Sequence, residues 1–129
     1  MNTHPKLIKN YKDLIVWQKS MTLCNFTYEL VNHFPKEELF GLTSQIKRCA
    51  VSIPSNIAEG FGRGSNKNFI NFLKIAYGSL VELETQLLIA HQRKFTKLQL
   101  KKYNICMELI QELTKMLGTL IGKLKHTSR

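Results

Sequence analysis

The feature that most constrains this fold is an apolar repeat of seven residues that recurs along most of the chain. In the third of four such stretches, apolar residues follow one another in steps of four and three: Phe69, Leu73, Ala76, Leu80, Leu83, Leu87 and Ala90. The fourth stretch has the same pattern: Tyr103, Cys106, Ile110, Leu113, Leu117, Leu120 and Leu124. This spacing puts one apolar stripe along a helix that packs at a shallow angle against its neighbours. Four such helices of about 20–28 residues with short links predict an all-α fold, an antiparallel up-down four-helix bundle.

The remaining helix boundaries follow from capping residues and prolines. The first helix is predicted from about Asp13 to Asn32, because Pro35 ends it. Its predicted seam comprises Leu14, Trp17, Met21, Cys24, Tyr28 and Val31. The third helix is predicted to begin near Ser65, a residue type that caps helix N-termini, and the fourth near Lys97.

The second helix is predicted between about Glu37 and Gly60, with Gly41 as a later alternative start. Its apolar stripe comprises Leu42, Ile46, Cys49, Ile53 and Ile57. Pro54 falls inside this stripe and predicts a kink near Val51, because proline loses a backbone hydrogen bond and clashes with the preceding turn. Gly60 is expected just past the last helical residue.

The bundle is expected to span residues 13–125, between a basic N-terminal segment (1–12) and a C-terminal tail (126–129). Further apolar residues lie outside the seams: Leu23, Phe26 and Leu30 on the first helix, Ile70, Tyr77, Val81 and Leu88 on the third, and Ile105, Leu109 and Met116 on the fourth. Self-association through a second buried surface explains this surplus, and so does a broad stripe facing the core. The residues alone leave both explanations open.

Nothing in the sequence indicates a membrane protein or a disulfide-bonded one. The longest apolar run near the N-terminus, Leu14 to Trp17, is far shorter than the roughly 20 residues of a membrane helix. We therefore expect a cytoplasmic protein. The cysteines, Cys24, Cys49 and Cys106, form no CxxC pair and are expected to be buried reduced thiols.

No residue pattern predicts an active site. The chain lacks the Glu-x-x-His motif of metal-binding bundles and any nucleophile elbow or Cys-His signature. Glu59, Glu82 and Glu84 are interpreted as a solvated face or as local ion pairs. The link from Gly60 to Ser65 lacks the Gly-Lys-Ser/Thr ending of a phosphate loop. We expect no enzyme activity, no catalytic residue, no metal and no cofactor.

The net charge of +10 favours a polyanionic partner. Nucleic acid and an anionic membrane surface both fit it, and so does a merely solvated cationic surface. Up-down connectivity gathers one set of cations at the end with the two termini: Lys6, Lys9, Lys12, Arg63, Lys67, Lys123, Lys125 and Arg129. The opposite end has Lys36, Arg93, Lys94, Lys97, Lys101 and Lys102. The best candidate nucleic-acid contacts are Arg63 and Lys67, with Lys47, Arg48 and Lys74 along the sides. Most aromatic residues fall on apolar stripes, which disfavours base stacking.

Three segments resemble a known family: Tyr11 to Trp17, Gly41 to Gly64 and Phe69 to Leu87. The family comprises four-helix-bundle proteins encoded in 23S rRNA intervening sequences. The most specific part is Ser-Ile-Pro-x-Asn-Ile-Ala-Glu-Gly, here Ser52 to Gly60. The chain is also similar to the accessory variability protein of diversity-generating retroelements, a basic pentameric barrel. The resemblance implies an up-down bundle that assembles as a homopentamer, and it supplies no catalytic residues.

These observations lead to one hypothesis and one main alternative, while a third class, an enzyme that uses Glu59 and Glu82, is disfavoured. The hypothesis is a non-enzymatic oligomer that binds RNA or DNA through phosphate contacts. The alternative is a protein–protein adaptor or structural oligomer with no nucleic-acid role, whose partner the sequence does not identify.

Overall fold

The computed structural model describes residues 8–127, and four helices account for most of them. The helices are α1 (Ile15–Val31), α2 (Leu42–Gly62), α3 (Asn66–Gln92) and α4 (Leu100–Lys125). Short 3-10 turns precede three of them: Tyr11–Asp13 before α1, Lys36–Glu38 before α2 and Lys97–Gln99 before α4. No strand occurs within residues 8–127.

Each helix packs against two others, so that the four form a closed square with α1 diagonal to α3. Consecutive helices run antiparallel, because the links between them are short. An ion pair between the neighbouring helices α1 and α4 agrees with this arrangement. Lys102 Nζ, at the start of α4, lies 3.2 Å from Glu29 Oε1, near the end of α1. The predicted all-α four-helix bundle is therefore confirmed.

The predicted stripes of α2, α3 and α4 form most of the core. All seven predicted stripe residues of α3 are buried. On α2 the stripe is buried from Ile46 to Ile57, whereas Leu42 is half-buried at the helix start. On α4 it is buried from Tyr103 to Leu117, and Leu120 and Leu124 are partly exposed towards the end of the helix.

The predicted seam of α1 is wrong. Of its six residues only Val31 is buried, and Met21 and Tyr28 are 36% and 38% exposed. The face turned to the core instead comprises Val16, Ser20, Leu23, Thr27 and Leu30. This face also repeats every seven residues, but two of its positions are hydroxyl residues, which a search for apolar residues overlooks.

The hydroxyls of this face are satisfied inside their own helix. Ser20 Oγ donates to the carbonyl of Trp17 at 2.7 Å, and Thr27 Oγ1 donates to the carbonyl of Leu23 at 2.7 Å. A buried hydroxyl that has its hydrogen bond carries little desolvation cost. Leu23 and Leu30, which the sequence placed outside the seam, are therefore core residues and no longer count as surplus apolar surface.

The second helix begins at Leu42, later than the predicted Glu37. The residues before it form a separate 3-10 turn, and Gly41 is the N-cap with φ −109° and ψ −110°. The helix runs without interruption through Pro54 to Gly62. The kink near Val51 stays a prediction.

Gly60 does not lie past the end of α2, as predicted, but inside it. It is a point of close approach: a Cβ built on Gly60 falls 2.5 Å from Phe72 Cβ and 3.2 Å from Phe69 Cδ1 on α3. Only glycine allows the two helices to pack this tightly. The turn after the helix instead uses Gly64, whose φ of +84° lies in the left-handed region.

The predicted cap of α3 is confirmed, because Ser65 Oγ accepts the backbone N–H of Asn68 at 3.2 Å. The fourth helix begins at Leu100, three residues after the predicted Lys97, since Lys97–Gln99 forms its own 3-10 turn. The first helix begins at Ile15, after the Tyr11–Asp13 turn, whereas the sequence predicted a start at about Asp13.

The predicted terminal segments are residues 1–12 and 126–129, and most of their residues, 1–7 and 128–129, lie outside the described part of the chain. Within 8–127, no helix has the length and apolar character needed to cross a membrane.

Candidate nucleic-acid interface

One end of the bundle brings the α2–α3 link next to the last turn of α4. Lys67 and Lys125 line the same shallow depression there. Lys123 lines a second depression with the first turn of α1, around Ile15. The described cations of this end are Lys9, Lys12, Arg63, Lys67, Lys123 and Lys125. Lys6 and Arg129, which were predicted here, lie outside the described residues.

Arg63, at the C-terminal end of α2, already has two partners. Its Nη2 lies 2.6 Å from Glu59 Oε2 one turn earlier, and its guanidinium carbon lies 5.0 Å from the centre of the Phe72 ring. The ion pair offsets part of the arginine charge, and the ring fixes the side-chain direction. Arg63 is therefore a weaker candidate for phosphate binding than Lys67, which has no carboxylate partner among residues 8–127.

Lys67 and Lys74 are exposed on the outer face of α3. Seven residues separate them, which is two helical turns or about 10 Å along the axis, so both point to the same side. Lys74 thus extends the basic end along α3 towards the middle of the bundle.

Lys47 and Arg48 lie apart from this group, nearer the opposite end of the bundle. Both line a groove of about 640 Å³ between α1 and α2, which also includes Tyr28 and Phe40. Lys47 Nζ lies 5.2 Å from the centre of the Tyr28 ring, a cation–π distance. Arg63 follows Lys47 by 16 positions, or roughly 24 Å of helix. The five predicted residues therefore form two basic surfaces rather than one.

Few of the cations are neutralised by the fold. Among residues 8–127 the ion pairs are Lys19–Glu112, Arg63–Glu59 and Lys102–Glu29. All three have partly exposed side chains, and every other described lysine or arginine lacks a carboxylate at salt-bridge distance. The surface therefore presents a positive potential that attracts polyanions.

The described carboxylates and thiols are the candidate metal ligands and nucleophiles of this chain. Within residues 8–127, no three His, Cys, Asp or Glu side chains converge on a common point suited to a metal ion. Glu59 is paired with Arg63, while Glu82 Oε1 lies 3.6 Å from Cys49 Sγ. Burial, together with the charge and hydrogen bond of Glu82, raises the pKa of Cys49 to about 12. Burial also raises the pKa of Cys106 to about 11. Both thiols are therefore protonated and unreactive at neutral pH.

A polar seam between α2 and α3 accounts for the most specific sequence segment. Ser52 Oγ and Ser79 Oγ lie 2.8 Å apart, and Asn56 Nδ2 donates to the Ser52 carbonyl at 2.7 Å. The Cys49 thiol donates to the Ser79 carbonyl at 2.9 Å. The Ser52–Ser79 and Cys49–Ser79 bonds join α2 to α3, and the close approach at Gly60 adds to this contact. Within the segment Ser52 to Gly60, Ser52 and Gly60 are therefore explained by helix packing.

Sequence reasoning missed Phe40, which lies in the link before α2 and is 94% exposed. The signal was readable, because this aromatic residue precedes Gly41 and falls on no apolar stripe. The Glu59–Arg63 pair agrees with the interpretation of Glu59 as part of a local ion pair, since an acidic residue four positions before a basic one is a favourable spacing on a helix.

Comparison with known proteins identifies a family and a solved structure that this chain resembles. The model of a family described as 23S rRNA-intervening sequence protein matches residues 12–119. A crystal structure of a protein of unknown function from Bacteroides thetaiotaomicron, assigned to the S23 ribosomal protein family, superimposes with a TM-score of 0.71. Its sequence is 28% identical, and the match covers 83% of this chain and 98% of that one. No curated protein matches the sequence.

Proposed function

This chain belongs to the 23S rRNA-intervening sequence protein family, and from that premise we propose that it is a non-enzymatic oligomer that binds RNA or DNA through phosphate contacts. The proposal goes beyond the family assignment, because the related crystal structure comes from a protein of unknown function. It therefore depends on the charges and surfaces of this chain.

The observation that carries the proposal is the large number of unneutralised cations. The net charge is +10, and only three ion pairs form among residues 8–127. Cations placed this way release counterions when they meet phosphates, which provides affinity without reading sequence. At the end with the α2–α3 link, Lys67 and Lys125 are close enough to serve one strand of phosphates.

Self-association is part of the proposal and is supported by the outer face of α3. Tyr77, Val81 and Leu88 are exposed there. Apolar residues grouped on one helix face are typical of a subunit contact. Five copies is the number that the sequence resemblance implies, and several copies would multiply the phosphate contacts of one subunit. Sedimentation equilibrium of the wild type and of Val81→Lys tests this part: we expect an oligomer that the lysine disrupts, and a wild-type monomer contradicts it.

The same apolar face favours a second candidate function, a protein–protein adaptor. The two functions are separated by purifying the tagged protein from its host without nuclease, and in parallel with nuclease. Nucleic acid binding predicts an absorbance ratio at 260 and 280 nm typical of bound nucleic acid, removed by the nuclease. A purified protein that carries no nucleic acid, yet retains a stoichiometric protein partner after nuclease treatment, supports the adaptor and contradicts the proposal.

A further inference from the structure

Phe40 is an aromatic residue whose side chain is almost fully exposed to solvent. It is 94% exposed, more than any other large apolar residue among residues 8–127. It lies in the link between α1 and α2, directly before the N-cap Gly41. Exposing a phenylalanine ring forgoes the free energy that its burial would contribute to folding. Phe40 therefore contributes little to the stability of the fold, which indicates a role in binding.

The groove beside Phe40 combines apolar faces with cations. Tyr28, Leu39 and Val51 line the groove with exposed side chains, and Lys47 and Arg48 line it too. Hydroxyl groups from serines complete the lining: Ser44, Ser52 and Ser55. Among residues 8–127, no carboxylate lines the groove. Its chemistry is therefore aromatic and cationic, with small hydrogen-bonding groups between.

The charges of the groove select among the occupants that an apolar surface could take. Lys47 and Arg48 line the groove without a carboxylate among its described residues, so an occupant with negative charge is favoured there. Duplex nucleic acid offers phosphates but keeps its base faces stacked inside the helix. A single strand presents both phosphates for the cations and flat base faces for the rings.

We propose that the groove between α1 and α2 binds a single-stranded stretch of RNA or DNA, with one base stacked on Phe40. Tyr28 provides a second aromatic surface, and Lys47 and Arg48 contact the adjoining phosphates. This inference rests on the proposed nucleic-acid function and deepens it. It also replaces the sequence-based expectation that too few aromatic residues are free for stacking. More cations occur at this end of the bundle and extend the path of a bound strand: Lys36, Arg93, Lys94, Lys97 and Lys101.

The test compares three variants with the wild type, against three ligands, by fluorescence anisotropy at low salt. The variants are Phe40→Ala, Phe40→Tyr and a matched control, Leu98→Ala. Leu98 is 80% exposed in the link between α3 and α4, which joins helices at the same end of the bundle. The ligands are a short labelled oligothymidylate, an abasic strand of the same length and a duplex. The abasic strand keeps the phosphates and removes the bases.

We expect Phe40→Ala to weaken oligothymidylate binding about tenfold, which corresponds to roughly 1.4 kcal/mol. Binding of the abasic strand and the duplex should change by less than about twofold, because neither offers a free base face. Leu98→Ala should match the wild type with every ligand. Phe40→Tyr should retain binding, since stacking needs an aromatic ring rather than phenylalanine itself.

Three results overturn the inference. If the wild type binds the ligands but Phe40→Ala does so equally well, the stacking site is wrong while the proposed function stands. If Phe40→Ala changes the subunit number in sedimentation equilibrium, the groove is a contact between copies of the chain. If the wild type binds none of the ligands at low salt, the proposed function fails and this inference fails with it.

Discussion

The contact at Gly60 yields a prediction whose size follows from the geometry. In Gly60→Ala, the new Cβ would lie 2.5 Å from Phe72 Cβ. Carbon atoms in contact normally lie about 3.5–4.0 Å apart, so the overlap is at least about 1 Å. Neither atom relieves it by side-chain rotation, because both are Cβ atoms fixed to the backbone. The helices α2 and α3 must therefore separate, and the polar seam at Ser52 and Ser79 stretches with them.

The expected loss combines two opposing effects. Overpacking of a core contact costs about 1–3 kcal/mol, and an overlap of this size belongs at the upper limit. Alanine also favours the helix over glycine by about 0.5–1 kcal/mol. We therefore expect the free energy of unfolding to fall by about 2 kcal/mol, which lowers the melting temperature of a chain of this length by roughly 7 °C.

The assay is thermal and urea unfolding followed by circular dichroism, at one fixed protein concentration because self-association shifts apparent stability. Gly118→Ala is the matched control, since Gly118 lies inside α4 and a Cβ there meets no atom within 4 Å. It should stabilise the protein by about 0.5–1 kcal/mol. If Gly60→Ala is as stable as Gly118→Ala, α2 and α3 do not approach as closely as described.

Three further predictions concern the core, the thiols and the basic end. Leu23→Ala should lower the free energy of unfolding by about 2–5 kcal/mol and Met21→Ala by less than about 1 kcal/mol; the reverse order in urea unfolding restores the seam read from the sequence. Because the pKa of Cys49 is raised to about 12, only about one Cys49 side chain in ten thousand is a thiolate at pH 8. Alkylation of Cys49, measured by peptide mass spectrometry, should therefore be slow until the protein unfolds. Rapid labelling of the folded protein refutes this. The double variant Lys67→Ala/Lys125→Ala should reduce the slope of log binding constant against log salt by about 2, and an unchanged slope removes both lysines from the interface.

The sequence predicted the architecture well wherever apolar residues alone define the buried face. The stripes of α2, α3 and α4 are nearly pure runs of apolar residues, and they are buried as predicted except at Leu42, Leu120 and Leu124 near helix ends. On α1 the buried face includes Ser20 and Thr27, whose hydroxyls bond to their own helix, while the competing apolar seam includes Met21 and Tyr28. Periodicity cannot separate two faces when the buried one carries satisfied hydroxyls and the exposed one carries large apolar residues.

The role of Gly60 was also out of reach of the sequence. A glycine near the end of a helix predicts a C-terminal cap, and here Gly64 fulfils the conformational role instead. The reason for Gly60 is the proximity of Phe72, which is set by how α3 lies on α2. Such a requirement depends on a tertiary contact and leaves no local signal in the chain.

The candidate site was predicted in part. Periodicity and topology predicted that the cations lie off the apolar stripes. They also predicted that Lys67 and Lys125 lie at the same end of the bundle, where both line one depression. Charge alone did not predict that Lys47 and Arg48 form a second basic surface, nor that this surface lies beside Phe40. That grouping depends on the path of the α1–α2 link, which no repeat specifies.

The most direct test of the central claim is the salt dependence of nucleic-acid binding by the wild-type protein. Anisotropy titrations with a generic RNA and a generic DNA over a series of salt concentrations give the binding constant at each. We predict a straight line of log binding constant against log salt, with a slope of about −3 or steeper for duplex DNA, because each phosphate contact contributes about −0.9. The absence of measurable binding at the lowest salt, or binding that does not change with salt, contradicts the account.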